Sequence, residues 1–187
     1  KEMKVPSEEE AIDFLRKAFG AGIRVFDTAP AYGKSEEYLG KFLDKLSVAE
    51  RQECFIATKC GEEYDFNSRL TRVDHSLGGI EKSIKRSLKQ LPVVSLLQVH
   101  KATPALVSDK AVLNLLARYK GKIPFMGVCA TDNATAEAAL ASNFFDFLQF
   151  PYNRGHPELL TLFSRAHKAG KIVLVSRPFA SGALFVD

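Results

Sequence analysis

Along the chain, short runs rich in Val, Ile, Leu and Phe alternate with longer segments in which apolar residues recur every three or four positions. The short runs predict strands over 23–27, 54–58, 93–100, 125–130, 145–150 and 171–176. A helix-period segment precedes each of them. The first opens with Ser7 and Glu10, the spacing of a capping box, and presents Ala11, Phe14, Leu15 and Phe19 on one face before Gly20 and Gly22 stop it. The others span 35–46, 79–90, 110–119, 134–142 and 157–169. Regular alternation with connections long enough for crossover helices is the pattern of an α/β protein with a parallel sheet.

A doubly wound open sheet and an eightfold barrel both satisfy this alternation, and glycine chemistry helps to separate them. No strand is followed by G-x-G-x-x-G, and no G-x-x-x-x-G-K-[ST] occurs, so neither phosphate-cradling turn is present. These absences favour a (β/α)8 barrel, although such a barrel normally has eight strands and six are read here, in a single domain over residues 1–187 with no internal linker. The longest irregular stretch, 61–76, follows the second strand and would lie at a strand's carboxyl end, where α/β folds gather their sites.

Composition changes this picture little. At 46% hydrophobic and 26% charged the chain is an ordinary globular sequence, and no apolar run approaches the roughly 18 residues of a membrane span. The net charge of +4 is dispersed, and the densest basic stretch, Lys82, Lys85, Arg86 and Lys89, has the spacing of a solvated helix face. Neither nucleic acid nor membrane is therefore expected as a partner. Three cysteines without a C-x-x-C pair argue for reduced thiols and no metal site, and the acidic first helix lacks the apolar run of a secretory signal, so a cytoplasmic location is expected.

Three apolar strands end in residues that are costly to bury: Asp27, Lys59 and His100. Parallel strands bring such ends to one side, where a carboxylate and an ammonium offset each other's desolvation. Tyr32, five residues after Asp27, is placed to fold back over them. Taken singly, each has a plainer reading: a cap, a solvated lysine, a packed tyrosine, a structural histidine. Together they form a coherent proton-donating set, because an ammonium beside a phenol favours the phenolate, while an imidazole can orient a carbonyl.

The segment containing Asp27-Thr28-Ala29, Tyr32-Gly33, Ser35-Glu36 and Leu39-Gly40 resembles the D-T-A-x-x-Y-G-x-S-E-x-x-L-G signature of the aldo-keto reductase family. Thr58-Lys59, Leu97-Gln98-Val99-His100, Gly127-Val128, Gln149-Phe150-Pro151-Tyr152-Asn153 and Arg177-Pro178-Phe179 extend the likeness over essentially the whole chain. The resemblance implies reduction of an aldehyde or ketone with NADPH, NADH not being excluded. Asp27, Tyr32, Lys59 and His100 match the catalytic tetrad. By that likeness Tyr32 would be the proton donor, Lys59 would pair with Asp27, and His100 would orient the small-molecule carbonyl substrate. Asp27 also borders the cofactor, and Gln149 matches the residue that holds the nicotinamide carboxamide.

Counted against the family's strands, Asp27 stands on the second and Ser176 on the seventh, so the domain is expected to be incomplete at both ends and to lack phosphate-binding residues that follow the eighth strand. Cys129-Ala130 replaces the usual Ser-Asn beside the nicotinamide, and Ser176 or Arg177 stands where an aromatic commonly stacks on it. The alternative is a degenerate nucleotide-binding or regulatory barrel without useful turnover. The sequence leaves the physiological substrate and the oligomeric state open.

Overall fold

The computed structural model describes residues 6–153, 160–180 and 182. They fall into two compact units, divided after Leu96.

In the first unit, α1 (Glu8–Gly20) begins at the expected capping box: Glu10 N–H donates to Ser7 Oγ at 3.2 Å and Ser7 N–H to Glu10 Oε2 at 2.7 Å. The chain then forms β1 (Val25–Asp27), α2 (Ser35–Asp44), α3 (Val48–Gln52), β2 (Phe55–Cys60), β3 (Glu62–Asp65), β4 (Leu70–Val73) and α4 (Leu77–Gln90). Strands β1 and β2 are parallel, with Asp27 opposite Ala57. Between them and the helices lies a core that includes Phe26, Leu39, Phe42, Leu43, Ile56, Ile80 and Ile84. Helices α2 and α4 approach closely at Gly40, where a Cβ would collide with the carbonyl oxygen of Gln90.

The second unit continues with β5 (Leu96–Val99), α5 (Pro104–Ser108), α6 (Lys110–Ala117), β6 (Phe125–Cys129), α7 (Asn133–Ala141), β7 (Phe147–Pro151), α8 (Leu160–Lys168) and β8 (Ile172–Ser176). Strands β5, β6, β7 and β8 are neighbours in that order. The register pairs Cys129 with Gln149 and Gln149 with Leu174, all parallel. Strands β5 and β7 are almost wholly buried, which explains their near-continuous apolar sequence.

All six expected strands form, and the differences lie at their ends. Strand β2 runs on through Lys59 to Cys60, so Lys59 is a strand residue rather than the one that follows. The run expected from 93 begins only at Leu96, because Ser95 is stitched to β2: its N–H donates to Ile56 O at 2.8 Å and its Oγ accepts from Ile56 N–H at 3.1 Å. The stretch 61–76, expected to be irregular, contains the antiparallel hairpin β3–β4, with Glu62 opposite Val73 and Asp65 opposite Leu70. Asp65 caps its turn, and Arg69 takes the left-handed conformation at φ 57°. Strand β4 is exposed throughout, so it carries no apolar face that periodicity could reveal. The short helices α3 and α5 also lie outside the sequence expectation. Of the helix expected over 157–169, residues 157–159 lie outside the described residues, and α8 accounts for most of the rest.

Candidate active site

The first unit brings together three of the sequence-predicted residues. Asp27 is the last residue of β1, and Lys59 is the penultimate residue of β2. The Lys59 ammonium donates to Asp27 Oδ2 at 2.7 Å and to the Thr28 carbonyl at 3.0 Å. It is almost completely buried at 1% exposure, whereas Asp27 keeps a third of its side chain in solvent. The pair is therefore only half buried. The cation, the costlier of the two to desolvate here, is held by a carboxylate and a carbonyl, which is how buried charge is tolerated.

Tyr32 completes the group through a compact turn. Its N–H donates to Ala29 O at 2.9 Å, Ser35 N–H donates to Tyr32 O at 3.1 Å, and Gly33 supplies the left-handed residue at φ 61° that a Cβ would disfavour. The ring centroid thereby comes 4.9 Å from Lys59 Nζ, with 48% of Tyr32 exposed. A phenol facing both a buried cation and solvent can exchange a proton with a molecule approaching from outside. The hairpin supports the same loop: Tyr64 N–H donates to Pro30 O at 3.1 Å.

Four residues quoted only as part of the family resemblance are engaged here. Thr28 Oγ1 donates to Ser35 Oγ at 2.9 Å, and Thr58 Oγ1 donates to Glu36 Oε1 at 2.6 Å. Glu36 is 1% exposed. Burial raises its pKa, opposed by the hydroxyls of Thr58 and Ser87 and by the Arg86 guanidinium, and reinforced by Glu63. Apart from its place in the family signature, the sequence signal for Glu36 was its position in the first turn of the helix, where an acid usually serves the helix terminus.

The remaining predicted residues belong to the second unit. His100 directly follows β5 and is buried, and the next residue, Lys101, is left-handed at φ 47°. Gln149 lies buried on β7 between its register partners Cys129 and Leu174. Cys129 ends β6, half-buried. Ser176 ends β8 opposite Pro151, and exposed Arg177 follows it at φ 53°. Asn153, also without an assigned role in the sequence, is buried and donates from Nδ2 to Arg177 O at 3.2 Å, tying the end of β8 to that of β7.

Among the described residues no helix is long and apolar enough to cross a membrane. The model of the aldo/keto reductase family matches residues 1–186. The chain is 35% identical over 133 residues to L-galactose dehydrogenase of Arabidopsis thaliana, a match that covers 65% of this chain and 39% of that protein. A solved structure from Pseudomonas aeruginosa, described as an aldo-keto reductase, superposes with a TM-score of 0.82 at 30% identity, covering 95% of this chain and 70% of the other. An aldo/keto reductase of Klebsiella pneumoniae, solved with NADP and acetate, shares the fold at a TM-score of 0.73 and 17% identity, covering 95% and 61%. The chain thus spans less than half the length of its Arabidopsis relative. Its six β/α units are those of a (β/α)8 barrel, and the chain belongs to the aldo/keto reductase family.

Proposed function

We propose that this chain carries the chemical centre of an NADPH-dependent carbonyl reductase in which Tyr32 protonates the oxygen of an aldehyde or ketone. The observation that carries this reading is the environment of Lys59, a buried ammonium held by Asp27 and Thr28 and facing the Tyr32 ring. The ammonium lies against the ring of the residue that would donate the proton, and Asp27 keeps the cation from being a lone buried charge. His100 is the residue assigned to orient the carbonyl, and its burial at the end of β5 suits a group that must present a fixed nitrogen.

The residues present fit the nicotinamide end of the cofactor. Gln149 offers a buried primary amide, whose donor and acceptor complement a carboxamide. Cys129, Ser176 and Arg177 would border the same group. When bound, NADPH supplies the hydride. Its choice over NADH follows the NADP found with the Klebsiella relative.

The test is reduction of a generic aldehyde by the protein that contains this chain, with cofactor binding followed separately by NADPH fluorescence. Tyr32→Phe should lower turnover by roughly 10²- to 10⁴-fold, the loss expected for a general acid, with cofactor binding retained. Unchanged turnover would remove Tyr32 from the chemistry. Tight NADPH binding by the wild type without any carbonyl reduction would favour the regulatory barrel instead.

A further inference from the structure

We infer that Glu36 is a positioning residue for Lys59: its buried carboxyl, fixed on the first turn of α2, accepts the Thr58 hydroxyl and thereby holds the end of β2 so that the next side chain reaches Asp27 and Tyr32. Successive side chains of a strand point to opposite faces. Thr58 therefore faces the helix layer, and Lys59 faces the other side. A hydrogen bond of 2.6 Å between Thr58 and Glu36, both essentially inaccessible, anchors β2 one residue before its functional side chain.

The neighbouring residue repeats the device on the other strand. Ser35 accepts from Thr28, the residue after Asp27, and the Thr28 carbonyl is itself a partner of the Lys59 ammonium. Two consecutive residues of α2 thus hold the ends of β1 and β2, the strands that carry the two members of the ion pair. The helix is seated rigidly for this purpose. One turn beyond Glu36, the missing side chain of Gly40 lets α2 press against the Gln90 carbonyl.

The arrangement is costly, which is why packing alone does not account for it. A buried carboxyl and a buried hydroxyl require desolvation that an apolar pair of similar volume would avoid. The groups around Glu36 are Thr58 from β2, Ser87 and Arg86 from α4, and Glu63 from β3. Arg86 is also engaged by Glu63, at 3.8 Å. Of these groups, the Thr58 hydroxyl makes the 2.6 Å hydrogen bond, and it adjoins Lys59.

The inference rests on the proposed function only for its meaning in catalysis, and its test needs no turnover. Reductive methylation followed by peptide mass mapping reads how often Lys59 becomes accessible. Thr58→Val and Glu36→Met each remove one end of the hydrogen bond and should raise the rate at Lys59 about tenfold, the change expected when a buried partner is lost. Glu36→Gln, whose amide oxygen still accepts, should stay near wild type. Ile80→Val, a core change on α4, serves as the control for general loosening. Wild-type protection of Lys59 in both Thr58→Val and Glu36→Met would overturn the inference. So would a rise no greater than that of Ile80→Val at equal loss of stability, or a Gln variant as reactive as the Met one. If Glu36→Met does not fold, Thr58→Val alone decides. A failed carbonyl-reduction assay, by contrast, would overturn the proposed function and leave this result to be read from Lys59.

Discussion

Lys59 Nζ lies 2.7 Å from Asp27 Oδ2, although the strand register sets Asp27 opposite Ala57, two residues before Lys59. The long lysine stem leans back along the strand, so its charge ends buried while the carboxylate remains a third exposed. The two members should therefore respond unequally to mutation. Asp27→Ala leaves a buried cation without its carboxylate and should cost about 3 to 5 kcal/mol. Lys59→Met removes the buried charge itself and leaves an anion that water can reach, so its cost should be clearly smaller. Urea unfolding of both variants checks the order, and equal costs would contradict the burial asymmetry.

Tyr32→Phe keeps the ring over the ammonium and loses only a hydroxyl on a half-exposed side chain. Stability should change by no more than about 0.5 kcal/mol, as for ordinary surface substitutions. Turnover and stability are thus expected to separate in this variant. A large drop in unfolding free energy would mean that the hydroxyl serves the fold.

Gly40→Ala should be among the most damaging small substitutions in the first unit. The added methyl meets backbone, the Gln90 carbonyl, rather than a side chain that could turn away. Overpacking of this kind typically costs about 1 to 3 kcal/mol, and a helix interior would otherwise gain from alanine. Thermal unfolding at neutral pH gives the sign, and a stabilised variant would show that α2 and α4 can separate freely.

Glu36 makes stability depend on pH. Burial raises its folded pKa above the ordinary 4.5, so the folded state holds this proton more tightly than the unfolded chain does. The stability tied to Glu36 is fully present below the unfolded value and is lost as pH rises through the folded one. The stability of wild type relative to Glu36→Gln should accordingly fall between those limits and level off above them. A difference that grows with rising pH would show that Arg86 outweighs burial.

The thiols should divide by access. Burial alone pushes the Cys60 pKa up to about 12, which leaves almost no thiolate near neutrality. Iodoacetamide at pH 8 should spare Cys60 in the folded protein and modify half-buried Cys129 faster. Saturating NADPH should slow the reaction at Cys129, and an unchanged rate would place the end of β6 away from the cofactor.

Several features of this protein were determined by local sequence. The capping box at Ser7 and Glu10, the apolar periods of the helices and the buried runs of β5 and β7 each identify an element, because side-chain spacing must match the repeat of the backbone. Asp27 and Lys59 were conspicuous for a similar reason, since charged groups at the ends of apolar strands need partners, and Tyr32 for its place in the loop that follows Asp27. The hairpin β3–β4 was not legible, because β4 is exposed throughout and the buried residue of β3 is the charged Glu62, so neither strand shows an alternation of apolar and polar positions. Nor was the part played by Glu36 and Thr58, residues 22 positions apart that meet only when α2 lies across the ends of β1 and β2. The tertiary structure decided which member of the ion pair is buried and brought the Tyr32 ring to the ammonium. Both depend on distances between separate strands and a loop, and no local pattern of apolar and polar residues encodes such distances.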